Sequence, residues 1–149
     1  MRKTIKKLLT KENIFLDLKA VTKTEVIEEI IDRLVAVGRI KNKEAAIKAV
    51  FERENKMSTG MEHGIAIPHG KTDAVDQLAV AIARKISGID FDSMDKKPST
   101  IFVMTVSPES QSGPHLQFLA EVSKLLKEAE SRKQILEAKS PQDVIKIFY

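Results

Sequence analysis

The hydrophobic and polar positions along the chain predict helices most clearly at residues 22–38. Thr22 precedes the apolar repeat and Glu25 follows three positions later, which is the spacing of a capping box at a helix start. The apolar repeat has helical spacing and consists of Val26, Ile27, Ile30, Ile31, Leu34 and Val35. Gly38 follows it as a C-terminal cap, so one amphipathic helix is predicted here.

Three further helical regions follow the same rules. A second helix is predicted from about Asn42 to about Lys56. A third begins at His115, after a loop at 110–114, and a shorter helical stretch covers 135–138. The last helix begins after Ser140, with Pro141 at its first position and Asp143 at the capping-box position.

Runs of consecutive apolar residues predict buried strands. Residues 100–106 are apolar at nearly every position, as expected for a central strand covered on both faces. A second strand is predicted at 78–83, ending before a break at Ser87 and Gly88. A short run at 65–67 stops at Pro68, and residues 4–20 fit a helix, a strand or a loop. Helices on both sides of one sheet, in a single domain spanning residues 1–149, are therefore expected.

Composition and charge exclude several kinds of protein. The 149 residues include no cysteine, which removes disulfides, thiolate metal sites and cysteine nucleophiles, and fits a cytoplasmic protein. The net charge is +4, but the lysines are mixed with glutamates and aromatic residues make up 5%, which argues against nucleic-acid binding. No apolar run is long enough to cross a membrane, and the N-terminus contains no apolar signal-peptide core.

His69 is the first candidate for chemistry. It follows Pro68 at the end of the apolar run and precedes Gly70, so a stiff backbone lies on one side and an open approach on the other. Ends of strands are where sites lie in open α/β sheets. Local features fit two interpretations equally well: an exposed functional imidazole, or a polar residue in a strand-ending Gly-Lys turn.

Three other candidates depend on their surroundings. His115 opens a helix, where backbone N–H groups and the helix dipole favour an anion such as phosphate. Arg53 presents a planar set of donors suited to phosphate oxygens, although for this arginine taken alone a surface ion pair with Glu52, Glu54 or Glu62 is the favoured interpretation. Thr59 and Gly60 fit anion binding or an ordinary turn. His63, in the 60–64 loop, is expected to be exposed and of no assigned role, and a zinc site built from the histidines is disfavoured by their spacing.

Together these residues carry a resemblance. Arg53, the STG run at 58–60, the GIAIPHGK run at 64–71, the HLQFL run at 115–119 and Leu125-Leu126 closely resemble the EIIA domain of the phosphoenolpyruvate-dependent sugar phosphotransferase system. The similarity is to the fructose/mannitol class, which includes nitrogen-regulatory EIIA proteins. It extends from about residue 5 to the C-terminus, including the GIDF run at 88–91 and Ser140-Pro141.

The resemblance implies an activity and a fold. His69 matches the phosphorylated histidine, which would take a phosphoryl group from HPr or a paralogue and pass it to a cysteine of an EIIB component, serving the membrane EIIC component indirectly. Arg53 and His115 match residues that hold the phosphoryl oxygens, with Thr59 and Gly60 as further phosphate-binding candidates. The implied fold is a three-layer α/β/α sandwich around a mixed, about five-stranded sheet. No metal or cofactor is implied.

Two questions stay open from the sequence. The resemblance implies either sugar uptake or a regulatory protein of the nitrogen-related branch, whose phosphorylation state controls docking on a target. The nitrogen of His69 that receives phosphate is also undetermined, although its other ring nitrogen needs an acceptor such as a backbone carbonyl.

Overall fold

The computed structural model describes residues 7–110 and 112–148, which form helices and one sheet. The helices are α1 (Lys23–Ala36), α2 (Lys43–Lys56), α3 (Ser112–Leu126), α4 (Ala129–Glu137) and α5 (Pro141–Phe148). The strands are β1 (Ile14–Phe15), β2 (Ile65–Ala66), β3 (His69–Lys71), β4 (Ala79–Ile89) and β5 (Ser99–Ser107). Lys7 and Leu8 are helical, and a short 3₁₀ turn covers Lys11–Asn13.

The sheet is mixed and has β5 near its centre. β4 runs antiparallel along one side of β5 and pairs in parallel with β1 on its other side. β2 and β3 both run parallel to β5 on the remaining side. Pro68 separates these two short strands because it has no N–H, yet its carbonyl still accepts from the Thr105 amide at 3.2 Å. Residues 65–71 therefore form one interrupted strand along β5.

Alternation along the central strands sends side chains to two separate cores. Phe102, Met104 and Val106 of β5 pack with α1 and α2, whereas Ile101 and Val103 pack with α3, α4 and α5. A period of two residues produces this division in any strand covered on both faces. The predicted α/β class and three-layer arrangement are therefore confirmed.

The predicted helix ends are also observed. Thr22 caps α1, with Glu25 completing the capping box, and Gly38 takes a positive φ of 80° after the helix. Asn42 caps α2, which ends at Lys56. Pro141 is the first residue of α5, and the Asp143 amide donates to the Ser140 hydroxyl at 3.3 Å.

Three boundaries predicted from the sequence are wrong. β4 does not break at Ser87 and Gly88 but continues to Ile89 through a bulge, where Gly88 has a φ of 81°. The predicted Gly-Lys turn after His69 is instead β3, held in the sheet by β5. α3 begins at Ser112, so His115 lies within its first turn rather than at its start.

Two further observations complete the fold. A helix is one of the structures that the sequence allows for residues 4–20, and residues 4–6 of that range lie outside the described residues. No helix in the described part of the chain is long and apolar enough to span a bilayer.

Candidate functional site

His69 lies at the start of β3, near the C-terminal end of β5, and its imidazole is partly exposed. Its Nδ1 atom is 2.8 Å from the carbonyl oxygen of Ile67. A carbonyl oxygen only accepts hydrogen bonds, so this contact places the ring proton on Nδ1. The lone pair of the neutral ring is then on Nε2, and no hydrogen bond of Nε2 to the described residues is present. His69 is thus oriented with one nitrogen available for chemistry.

His115 lies in the first turn of α3 and approaches His69 from that helix. The two ring centroids are 5.6 Å apart, with an angle of 55° between the ring planes. His115 is buried, and its Nε2 atom is 2.8 Å from the Thr105 hydroxyl, on the β5 residue that is in register with His69. The fold therefore brings the two sequence-predicted histidines together.

The charge of His115 is set by its surroundings. Burial, followed by the nearby His69 and Lys71, lowers the pKa of His115 from 6.5 to about 4. An imidazole in these surroundings is neutral at neutral pH, because burial and positive neighbours both disfavour its charged form. It can therefore offer one N–H donor from a ring that carries no charge.

Arg53 is in the last turn of α2, partly buried, and its Nη1 donates to the carbonyl oxygen of Met57 at 2.7 Å. Its helix packs directly on β3: a Cβ built on Gly70 lies 2.9 Å from the backbone of Ala49 and Val50. Arg53 follows these residues by one helical turn. No hydrogen bond joins Arg53 to either imidazole within the described residues, so the structure places its helix, but not its guanidinium, against the histidine strand.

Residues 59–67 form a hairpin on the outer edge of the sheet. The Ile67 amide donates to the Thr59 carbonyl at 3.1 Å, and the Met61 amide donates to the Ile65 carbonyl at 2.7 Å. The turn has positive φ at both central residues, 64° for His63 and 75° for Gly64, as type I′ hairpins require. His63 is exposed, as expected, and occupies a turn position rather than a place beside His69.

Thr59 and Gly60 are hydrogen-bonded within the protein. The Thr59 amide donates to Glu54 Oε2 at 2.7 Å, and the Thr59 hydroxyl to Glu54 Oε1 at 2.6 Å. The Gly60 amide donates to the Ser58 hydroxyl at 3.0 Å. Phosphate binding by either residue requires exchange of these partners, and the role assigned to them stays a prediction.

Sequence reasoning missed two groups that orient the histidines. Thr105 is the one polar side chain among the six residues 101–106, and a polar residue in a buried apolar strand indicates that it has a specific partner. The Ile67 carbonyl carries no sequence signal because every residue has one. A half-exposed imidazole with a fixed proton, beside a neutral imidazole donor, is suited to nucleophilic attack on an electrophile with anionic oxygens.

Metal binding has no support in the geometry. Across residues 7–110 and 112–148, no group of three histidine, aspartate or glutamate side chains is placed to hold a metal ion.

Comparison with protein families gives one match that covers nearly the whole chain. Residues 7–149 match the family "Phosphoenolpyruvate-dependent sugar phosphotransferase system, EIIA 2". The matched residues include every candidate of the site.

Two characterised relatives are similar over most of the chain. A "PTS system fructose-specific EIIA component" of Haloferax volcanii is 43% identical over 133 residues, covering 89% of this chain and 86% of the relative. A "PTS system fructose-specific EIIABC component" of Bacillus subtilis is 38% identical over 144 residues. That match covers 97% of this chain but only 23% of the longer relative.

A solved structure has the same fold throughout. The "Nitrogen Regulatory Protein IIA-Ntr" of Neisseria meningitidis superimposes with a TM-score of 0.85 and is 27% identical. The match covers 97% of this chain and 99% of the other.

Proposed function

The chain belongs to the EIIA 2 family of the phosphoenolpyruvate-dependent sugar phosphotransferase system, and from this premise we propose that it is a phosphocarrier whose acceptor is His69. The observation that carries the proposal is the 2.8 Å contact between His69 Nδ1 and the Ile67 carbonyl. It leaves Nε2 as a nucleophile on a partly exposed ring. We also propose that residues 1–149 form one EIIA domain that works in the cytoplasm.

The transfer step follows from this geometry. The Nε2 lone pair of His69 attacks the phosphorus of a donor phosphohistidine in HPr or a paralogue. The new bond joins Nε2 to phosphorus, the donor's nitrogen–phosphorus bond breaks, and its electron pair returns to the donor ring. The proton stays on Nδ1 throughout and is donated to the Ile67 carbonyl. No metal or cofactor takes part, because phosphoryl transfer depends mainly on positioning and charge stabilisation.

Two residues stabilise the phosphoryl oxygens in this proposal. His115 donates from Nδ1 while its Nε2 accepts from the Thr105 hydroxyl, which is consistent with the 2.8 Å contact. The Arg53 guanidinium, in the last turn of α2, releases the Met57 carbonyl and donates to a phosphoryl oxygen instead. Thr59 and Gly60 contribute only if their present hydrogen bonds open.

The acceptor is proposed to be a cysteine of an EIIB component, which passes the phosphoryl group to sugar entering through EIIC. These 149 residues contain no cysteine, so the acceptor lies outside them. The longer Bacillus subtilis relative is named as an EIIABC component, which supports an EIIB partner. The name of the Haloferax volcanii relative supports fructose as the sugar.

A regulatory role is the second candidate. The structural match to a nitrogen regulatory protein, with a TM-score of 0.85, supports it. In that case the phosphorylation state of His69 controls docking on a target protein and no sugar is moved.

Reconstituted transfer to a panel of EIIB proteins separates the two functions. For a sugar phosphocarrier we expect rapid loss of the phosphoryl group to a fructose- or mannitol-specific EIIB. The His115→Ala variant should lose its phosphoryl group more slowly while still accepting one. If no EIIB accepts the group and binding to a target protein depends on phosphorylation, the regulatory function is correct instead.

A further inference from the structure

Glu54 is a buried charged residue that the phosphotransfer scheme does not use. It follows Arg53 in α2, and its side chain is only 1% exposed. Removing a carboxylate from water is costly unless charged and hydrogen-bonded partners replace the lost water. The partners of Glu54 therefore indicate why an acidic residue occupies this place.

Three donors converge on the Glu54 carboxylate. Lys23 Nζ, at the start of α1, lies 2.8 Å from Oε2. The Thr59 amide is 2.7 Å from the same oxygen, and the Thr59 hydroxyl is 2.6 Å from Oε1. The short charge-assisted bonds to both groups of Thr59 hold one residue of the hairpin edge in a single position.

The hydrogen bonds continue from Thr59 to the nucleophile. The Thr59 carbonyl accepts from the Ile67 amide at 3.1 Å, and the Ile67 carbonyl is 2.8 Å from His69 Nδ1. Thr59 and Ile67 therefore connect the Glu54 carboxylate to the His69 imidazole through hydrogen bonds. Ile67 accepts from the His69 ring through its carbonyl and is held at its amide by Thr59, which Glu54 holds in turn.

We propose that Glu54 is a positioning residue for His69, acting through Thr59 and the backbone of Ile67, with Lys23 neutralising its charge. It keeps the Ile67 carbonyl at the distance that holds the proton on Nδ1 and leaves Nε2 as the nucleophile. A buried ion pair adds little net stability compared with apolar residues of similar size, so orientation is the better explanation of this one. The proposal deepens the proposed function of His69 and rests on it.

Two substitutions at position 54 distinguish positioning from packing. Glu54→Ala removes all three acceptor contacts. Glu54→Gln keeps a carbonyl oxygen for the Thr59 amide and offers N–H to the Thr59 hydroxyl, which can also accept. The matched control is Glu52→Ala, on the same helix, where the side chain is 65% exposed and its nearest cation, Lys48, is 4.0 Å away.

Two properties of these variants are measured, the tautomer of His69 and the kinetics of its phosphorylation. Long-range proton–nitrogen NMR of the imidazoles reports which ring nitrogen of His69 carries the proton. Kinetics with phosphorylated HPr give kcat and KM for phosphorylation of His69. We expect Glu54→Ala to populate the Nε2–H tautomer of His69 and to lower kcat about tenfold. KM should be unchanged, because the buried Glu54 side chain does not contact HPr. Glu54→Gln should restore most of both properties, and Glu52→Ala should match the parent chain.

A second pair of variants, at Thr59, provides the test if Glu54→Ala does not fold. Thr59→Val removes the hydroxyl contact but keeps the amide contact, and Thr59→Ser keeps both. We expect a smaller tautomer change and a several-fold lower kcat in the valine variant, and recovery of most of both properties in the serine variant.

The outcomes separate the two proposals. A folded Glu54→Ala or Thr59→Val variant with the parent tautomer of His69 overturns the positioning role, even if transfer is slower. The NMR measurement needs no phosphoryl donor. If the tautomer changes but phosphorylated HPr labels neither variant nor parent chain, the positioning role stands and the proposed donor is wrong.

Discussion

The two neighbouring imidazoles have different surroundings, and the proposed function gives them different tasks. His69 is partly exposed with its proton held by a backbone carbonyl, whereas His115 is buried with its Nε2 held by Thr105. A nucleophile needs access to its partner, and a donor to phosphoryl oxygens gains strength from exclusion of water. The exposure of His69 and the burial of His115 therefore fit the nucleophile and donor roles proposed for them.

Protonation of His115 should make the protein less stable in acid. Its folded pKa of about 4 lies below the usual 6.5, so between these pH values the unfolded chain binds a proton that the folded chain does not. Stability is therefore retained above pH 6.5 and lost as the pH falls through about 4, by about 3 kcal/mol in total. Chemical unfolding at several pH values should show this slope for the parent chain and a smaller one for His115→Gln.

The control for this effect is His63→Gln, which changes an exposed turn histidine and should keep the parent slope. A midpoint near 6.5 for His115 in an NMR titration would contradict the assigned environment.

At the residue scale, the sequence predicts the residues of the proposed chemistry better than it predicts the groups that hold those residues in place. His69, His115 and Arg53 stand in the motifs that carry the family resemblance, and the proposed reaction uses their residue types. The Ile67 carbonyl, the Thr105 hydroxyl and Glu54 act through geometry that depends on strand register and helix packing. A single sequence carries no direct record of such register, and these groups appear only in the folded structure.

At the element scale, β3 is short but is held from two directions. β5 pairs with it along one edge, and α2 lies against it so closely that Gly70 leaves no space for a side chain. This contact joins the helix of Arg53 to the strand of His69. It also explains why the sequence-predicted turn at Gly70 is a strand: close approach, rather than turn geometry, requires the glycine.

Gly70→Ala should separate these two elements. The added Cβ meets backbone atoms of Ala49 and Val50 at 2.9 Å, and backbone cannot move aside as a flexible side chain can. We expect a loss of about 1–3 kcal/mol in the free energy of unfolding and slower phosphorylation of His69.

Gly113→Ala is the matched control, since nothing lies within 4 Å of its added Cβ in the first turn of α3. It should leave stability unchanged or raise it by up to about 1 kcal/mol. Equal effects of the two substitutions on unfolding would show that the close approach of α2 is unimportant.

At the scale of the whole molecule, the site is assembled from both helical layers. α2 contacts β3 from one face of the sheet, and α3 brings His115 to His69 from the other. Periodicity predicts both layers because each element carries its own apolar face. It does not predict which ends of the elements meet, so the sequence links Arg53, His69 and His115 only through the family resemblance.

Two exposed apolar side chains adjoin residues of this site in the chain. Met57, next in chain to the last turn of α2, is 71% exposed, and Leu116, beside His115, is 65% exposed. Protein partners bury such groups at the centre of their interfaces. We expect the double substitution Met57→Gln and Leu116→Gln to raise KM for phosphorylated HPr about tenfold with kcat unchanged.

Ile86→Gln is the control for the docking prediction. Ile86 is 65% exposed but lies within the bulged stretch of β4 between Arg84 and Ile89, whereas the β4 residue opposite Thr105, the register partner of His69, is Val80. It should leave KM unchanged. If Ile86→Gln raises KM as much as the double substitution does, partner docking is not centred on the site.

The most direct test of the account is the position of the phosphoryl group. Incubation with phosphorylated HPr, followed by peptide mapping and nitrogen NMR of the labelled protein, should reveal one phosphoryl group on Nε2 of His69. His69→Ala should remain unlabelled, while His115→Ala should still accept the group. A label on Nδ1, on His115 or on the His69→Ala variant would contradict the assignment of His69 Nε2 as the nucleophile.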